Sequence, residues 1–328
     1  MSVEQKMSQR LSQLAAADVG ATRFAEPLAH HSSWRIGGVA DLFIEPENAA
    51  QVAAVVQLTR TLELPLVVIG QGTNLLFDDL GVRGVVMKIG ARMARITISG
   101  ETVVAEGGAW VPQLTRMTMR AGLTGLEHCI GIPGTVGGLV VMNGGSHRHG
   151  IGEQVTRVTI VDLDGGIRRL DAAACHFDYR YSALQGRGCV VVEVELTCRA
   201  AELSRVRREM LDDLRVRRGK FPRKQPNCGS VFLSTAEMHA TIGPPGKIIE
   251  EAGLKGLRIG QAEVSRRHAN FIVNLGNASS RDVLALIARI RTLVRERFAF
   301  DLCCEVRYVS PSGDILPAHQ RADGPAPV

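Results

Sequence analysis

Two glycine-rich segments offer backbone for chemistry. The first is Ile69, Gly70, Gln71, Gly72, Thr73, Asn74 and Leu75, at the end of the apolar run LVVI. Its two glycines would let backbone N–H groups turn toward an anion, with the Thr73 hydroxyl and the Asn74 amide as further donors. No Gly-Lys-Ser/Thr follows, and the third glycine of the dinucleotide fingerprint is missing. Alone, the segment is equally an ordinary strand-to-loop turn. The second is Gly131, Ile132, Pro133, Gly134, Thr135, Val136, Gly137 and Gly138, continuing to Asn143, Gly144 and Gly145. Four glycines and one proline in eight residues leave so little side chain that a large ligand can approach the backbone. Two such segments about sixty residues apart suggest a cofactor with a diphosphate, clasped between two elements of one domain.

Other reactive side chains read more blandly. His147 and His149 have no third ligand at a useful spacing, so a loop is expected and no metal. Seven cysteines, at 129, 175, 189, 198, 228, 303 and 304, form an odd set without CxxC, which predicts reduced thiols in a cytoplasmic protein. The adjacent Cys303 and Cys304 read as small core fillers. In the basic run Arg215, Arg217, Arg218, Lys220, Arg223 and Lys224, Lys224 could meet a diphosphate, and a solvated helix end is the other reading. His268 and Asn270 are assigned only packing or hydrogen bonding. On their own, Ser230, Arg180 and Glu305 read as a turn hydroxyl, a surface or ion-paired arginine and an outward strand residue.

The elements that must position these residues are legible in the hydrophobic pattern. Asn48 can cap a helix whose Val52, Val55, Val56 and Leu62 share one side, and the strands LVVIG (66–70) and VVMKI (85–89) flank the first glycine segment. Residues 94–106 read as a hairpin turning at Ser99 and Gly100, and a helix over 110–121 closes at Gly122. Antiparallel strands are expected around 156–170 and 189–197, then a charged helix ending near Lys220. The last part should contain a short helix over 245–252, the strand FIVNL, a long helix from Ser279 to Phe298 and the strand LCCEVRYV. This gives an N-terminal helix and connector (1–30), a body over 31–219 in two lobes (about 31–90 and 91–219), a final domain over 220–310 and a loose tail over 311–328.

Composition narrows the function classes. A chain of 328 residues, 45% hydrophobic and 22% charged, is neither a small disulfide scaffold nor globally disordered. The net charge of +6 favours anionic partners, but aromatics at 4% supply few stacking platforms for nucleic acid. No uncharged run approaches the ~20 residues of a membrane span.

Several segments, taken in order, resemble one family. SWRIGG (33–38), IGQGTNLLF, GLEHCIGIPGTVGGLVVMNGG, FDYRYS (177–182), GSVF (229–232), IIEEAGLKGLRIGQAEVSRRHANFIVN and CEVR (304–307) are similar to those of the UDP-N-acetylenolpyruvoylglucosamine reductases (MurB), over about residues 31–310. The resemblance implies an α+β fold: a two-lobed FAD-binding domain of vanillyl-alcohol-oxidase type plus a smaller α/β substrate-binding domain. It implies non-covalently bound FAD, NADPH as electron donor, and reduction of the enolpyruvyl ether of a UDP-sugar to UDP-N-acetylmuramate for peptidoglycan. By matching motifs, Ser230 would donate the proton, while Arg180 and Glu305 would flank the enolpyruvyl carboxylate. Arg180 offers a fixed fork to that carboxylate, and a protonated Glu305 would donate a hydrogen bond to it. A monomer that binds neither nucleic acid nor membrane is expected. The sequence departs from the pattern after GSVF, where Leu233, Ser234, Thr235 and Ala236 replace the usual Lys-Asn-Pro, and the stretch 237–245 is longer than expected. A related flavin oxidoreductase with another substrate is therefore the alternative. The short path from Arg180 to Ser230 points to the subclass without the extra tyrosine-bearing loop.

Overall fold

The computed structural model describes residues 2–323. Chain contacts divide it into two compact units, one of Met1–Phe24, Leu42–Gln71 and Gly84–Gly219, the other of Ala25–Asp41, Gly72–Arg83 and Lys220–Val328. The contiguous division expected from sequence therefore differs from the spatial one, which assigns residues 25–41 and 72–83 to the second unit.

In the first unit, the Asn48 side chain accepts the Gln51 N–H and starts the helix Ala49–Thr61, whose Val52, Val55 and Val56 are buried as their spacing predicts. Strand Leu66–Ile69 pairs in parallel with Val82–Lys88 from Leu66 opposite Val85 to Ile69 opposite Lys88. The larger sheet is antiparallel, in the order 167–171, 155–161, 190–197, 102–106, 96–99. Its hairpin turns at Gly100 and Glu101, one residue later than expected, because Gly100 takes the left-handed φ of +57° and Ser99 still pairs with Thr102. An irregularity between Val191 and Glu193 turns the Val192 carbonyl to the Gly107 N–H (2.7 Å).

The second unit is held by hydrogen bonds that span the chain. Fully buried Trp34 donates its indole N–H to the Ile272 carbonyl (2.8 Å), and the Asn274 amide donates to the Trp34 carbonyl (2.9 Å). Strand Leu75–Phe77 lies parallel to Arg307–Val309. Asp79 accepts from the backbone N–H (2.8 Å) and hydroxyl (2.9 Å) of Ser280 at the start of the helix Ser280–Phe298. These contacts draw two early segments into a core otherwise made by the last hundred residues, with Val283, Leu286, Ile287, Ile290 and Val294 as the helix's buried stripe.

Three expectations are corrected. The connector before residue 30 contains the strand Ala21–Pro27. The strand expected over LCCEVRYV is regular only at Arg307–Val309, because Cys304 makes an isolated bridge to Phe232 instead. The tail is not loose through Asp323. Ile315–Pro317 pairs with Arg307–Val309, and Ala318–Ala322 is a helix whose His319 Nδ1 accepts the Cys304 N–H (3.0 Å). Residues 324–328 lie outside the described residues.

Candidate active site

In the first unit the two glycine segments meet. Strand Leu66–Ile69 ends at Gly70, where a Cβ would lie 2.3 Å from Thr135 Oγ1. That hydroxyl caps the short helix Val136–Val141 by accepting the Gly138 N–H (3.4 Å). The Gly137 N–H reaches the Gly107 carbonyl and the Val136 N–H the Ala109 carbonyl, both at 2.8 Å. A Cβ on Gly137 would press on the Gly107 and Val191 carbonyls at 3.1 and 3.3 Å. The sheet irregularity thus fixes Gly107, and Gly107 fixes the second glycine segment. Gly134 and Thr135 are buried while Pro133 and Gly138 are exposed, so one edge of this side-chain-poor backbone is open to a ligand.

Asn143 belongs to the cofactor set read from sequence, yet its amide is engaged within the protein. With a left-handed φ of +40°, it accepts the Gly152 N–H on Oδ1 (2.9 Å) and donates from Nδ2 to the Asp178 carbonyl (2.8 Å). Asp178 and Tyr181 form the isolated bridge that carries Arg180, itself at φ +54°. The Ser182 hydroxyl donates to the Val141 carbonyl (2.6 Å), and Arg180 Nη2 donates to the Gly145 carbonyl (3.0 Å). The Arg180 turn is therefore tied directly to the second glycine segment.

Arg217 was missed as a member of this neighbourhood. Its Cδ lies 2.2 Å from where a Gly131 Cβ would stand, so the glycine admits the arginine. Burial lowers its pKa, opposed by nearby Asp213, with the Arg180 charge adding to the lowering. Burial pushes the adjacent Cys129 thiol up to about 12 despite both arginines. The usable signal was helical phase: Val206, Met210, Asp213 and Arg217 recur at spacings of four, three and four on Leu203–Lys220, and the first two are buried.

In the second unit the structure brings Ser230 and Glu305 onto neighbouring segments. The Glu305 N–H donates to the Val231 carbonyl (2.8 Å), the Leu233 N–H to the Cys303 carbonyl (2.9 Å), and Phe232 bridges Cys304. Asn74 sits here too: its amide donates to the Glu305 carbonyl (3.1 Å), and its own carbonyl accepts the Arg307 N–H (3.0 Å). Gly72, at φ +60°, accepts the Ser33 N–H, and a Cβ there would lie 1.9 Å from the His31 carbonyl oxygen. The unit division falls between Gln71 and Gly72, so the first glycine segment contributes to both units. Lys224 is exposed in the connector after Lys220, apart from any of these hydrogen bonds. His147 Nε2 faces Asp213 Oδ1 (2.9 Å) and His149 Nδ1 faces Glu153 Oε2 (2.9 Å). No helix among the described residues is long and apolar enough to cross a membrane.

This arrangement belongs to a class of two-part flavoproteins. Residues 40–171 match the model of the FAD binding domain, and residues 221–309 match that of the UDP-N-acetylenolpyruvoylglucosamine reductase C-terminal domain. UDP-N-acetylenolpyruvoylglucosamine reductase 1 of Corynebacterium glutamicum is 48% identical over 89% of this chain and 87% of its own. Reductase 2 of Symbiobacterium thermophilum is 41% identical over 92% and 96%. The crystal structure of the Thermus caldophilus enzyme (MurB) superposes with a TM-score of 0.74 at 31% identity, covering 88% of this chain and 98% of that one. The chain belongs to the UDP-N-acetylenolpyruvoylglucosamine reductase family.

The residues present fit an FAD. Gly70 and Gly137 leave out the Cβ atoms that would strike Thr135 and the Gly107 carbonyl, and the Cβ of a residue at Gly138 would meet nothing nearer than Thr135 Oγ1 at 3.4 Å. Such backbone can be approached by a diphosphate without a clash of side chains, while the Val136, Gly137 and Gly138 N–H groups are already paired within the protein.

Proposed function

We infer that this protein is the FAD-dependent reductase of its family, which uses NADPH to reduce UDP-N-acetylglucosamine enolpyruvate to UDP-N-acetylmuramate, a step of peptidoglycan precursor synthesis. The observation that carries the reading is the conjunction, in one chain, of an FAD binding domain with this family's C-terminal domain. When bound, FAD supplies two-electron chemistry, accepting a hydride from NADPH and delivering one to the terminal enolpyruvyl carbon. Residues Ile69–Leu75, Gly131–Thr135, Gly137, Gly138 and Asn143 are assigned to holding it. Asn143 serves by fixing the loop, since its side chain bonds Gly152 and Asp178 and its backbone N–H donates to the Val140 carbonyl (3.0 Å).

Hydride arrival at the terminal carbon places negative charge on the neighbouring carbon and its carboxylate. Arg180 supplies a fixed cationic fork to the carboxylate, and Glu305 a second polar contact. Ser230 gives its hydroxyl proton to the neighbouring carbon. A serine hydroxyl is a weak acid, so this role demands close placement, and Ser230 sits in a segment pinned at Val231, Phe232 and Leu233. Lys224 offers a cation to the sugar-nucleotide diphosphate. The path between Arg180 and Ser230 holds only the strands Val190–Thr197 and Arg199–Ala200 and the helix Leu203–Lys220 as regular elements, in keeping with the subclass without the tyrosine-bearing loop.

One observation supports the alternative substrate. Thr235 caps the helix Ala236–Thr241, and the Ser234 hydroxyl lies 2.9 Å from His239 Nε2, so the altered 233–236 stretch has a local structure of its own. The decisive experiment follows the flavin absorbance anaerobically as NADPH and then the UDP-enolpyruvyl sugar are added. Bleaching followed by return establishes both half-reactions, whereas bleaching without return transfers the enzyme to another acceptor. Ser230→Ala should leave bleaching by NADPH within about twofold and slow the return by roughly 10²–10⁴-fold. Equal slowing of both steps removes Ser230 as the proton donor.

A further inference from the structure

We propose that Asn270 is the positioning residue of the Ser230 hydroxyl, an inference that rests on the reading of Ser230 as proton donor. Asn270 is buried and lies just before the strand Ile272–Asn274. Its carbonyl accepts the Val231 N–H (2.9 Å), its Oδ1 accepts the Phe232 N–H (2.9 Å), and its Nδ2 donates to the Phe232 carbonyl (2.9 Å). A side-chain amide has one acceptor and one donor in the arrangement of a peptide unit. Asn270 therefore pairs with Phe232 as a neighbouring strand would, at a place where no strand runs.

The opposite edge of the same segment is gripped by the chain around Glu305. There the Val231 carbonyl accepts the Glu305 N–H and the Leu233 N–H reaches the Cys303 carbonyl. Ser230 is thus the residue immediately before a stretch clamped on both sides, and it follows Gly229, whose φ of +79° leaves the backbone soft. On that side the backbone is held through side chains, the Gly229 N–H donating to Asn227 Oδ1 (3.0 Å) and the buried Cys228 thiol to the Leu75 carbonyl (3.3 Å). Asn270 is itself fixed by donating its N–H to His268 Nδ1 (3.2 Å), which requires that nitrogen to be unprotonated. Remove the amide and Phe232 loses both partners on one edge, while the Gly229 hinge is free to let Ser230 drift. Proton transfer to carbon from so weak an acid depends steeply on approach, so a small drift falls on that step and not on reduction of the flavin.

The test compares wild type, Asn270→Ala, Asn270→Ser and Ser230→Ala as FAD-loaded full-length proteins. In Asn270→Ala, hydrogen exchange at the Phe232 amide should accelerate while exchange in the helix Ser280–Phe298 stays unchanged. Bleaching by NADPH should stay within about twofold, return with the UDP-enolpyruvyl sugar should slow roughly 10–100-fold, and the solvent deuterium isotope effect on the return should rise. Asn270→Ser can satisfy only one side of Phe232 and should fall between, and it carries the test if the alanine variant does not retain flavin. Return at the wild-type rate in either variant, or equal slowing of both half-reactions, overturns the proposal. If Ser230→Ala itself returns at the wild-type rate, the proton-donor reading fails first and the proposal falls with it. A slow Ser230→Ala beside a fast Asn270→Ala refutes only the positioning role.

Discussion

The two units build functional backbone by opposite means. In the first, the glycine segments work by omission: Gly70, Gly131 and Gly137 lack the Cβ atoms that would strike Thr135, Arg217 and the Gly107 carbonyl. In the second, the segment carrying Ser230 works by addition. Side-chain amides of Asn74, Asn227 and Asn270 stand in for absent strand neighbours, and Trp34 and Asn274 tie an early segment to a late one. Losing side chains lets the glycine backbone pack closely against the rest of its own unit, whereas the segment after Ser230 gains rigidity by pairing the N–H and carbonyl groups of Val231 and Phe232. The first should therefore be broken by adding a few atoms and the second by deleting them.

The largest effect is expected at Gly70. Gly70→Val puts atoms where Thr135 Oγ1 lies 2.3 Å from the new Cβ, and flavin affinity should fall about tenfold or more, read by titrating apoprotein with FAD. If steric conflict is the cause, adding Thr135→Ala should recover part of the loss. No recovery would mean that Gly70 acts through something other than space. In the second unit, Trp34→Phe deletes one donor and leaves the buried Ile272 carbonyl without it, which should cost about 1–3 kcal/mol by urea unfolding. A negligible cost would show that this unit does not depend on its long-range hydrogen bonds.

A smaller effect should come from pH. Burial, with help from Lys255 and Lys220, lowers the pKa of His268 below its ordinary 6.5. As the pH falls past 6.5 the unfolded chain takes up this proton before the folded one. Stability is thus full above that pH and declines down to the folded-state pKa. Burial lowers His128 and His319 in the same direction. The melting temperature should therefore fall between pH 7 and pH 5, and His268→Gln should reduce that slope. An unchanged slope would remove His268 from the account.

Periodicity made most regular elements legible. The stripe Val283, Leu286, Ile287, Ile290, Val294 and the Asn48 cap follow from local rules that hold whatever the chain packs against. Local rules failed where pairing was non-local. Alternation around Cys303 and Cys304 looked like a strand, but Cys304 makes an isolated bridge to Phe232, seventy-two residues earlier in the chain, and bonds His319. Asn270 was read as a residue for packing or hydrogen bonding, and it does bond, but its partners on Val231 and Phe232 are unpredictable from its neighbours. Arg217 was hidden in a basic run whose other members are mostly exposed.

By itself the sequence determined the glycine segments and the longer helices, which rest on residue types and short spacings, and its ordered motifs resembled those of one family. The tertiary structure alone decided that Gly70 touches Thr135, that residues 25–41 and 72–83 join the C-terminal unit, and that Asn270 bonds the segment beside Ser230. The physical reason is one of range. Conformational preference is set by nearest neighbours along the chain, whereas satisfying buried polar groups and filling space depend on partners that only folding brings within hydrogen-bond distance.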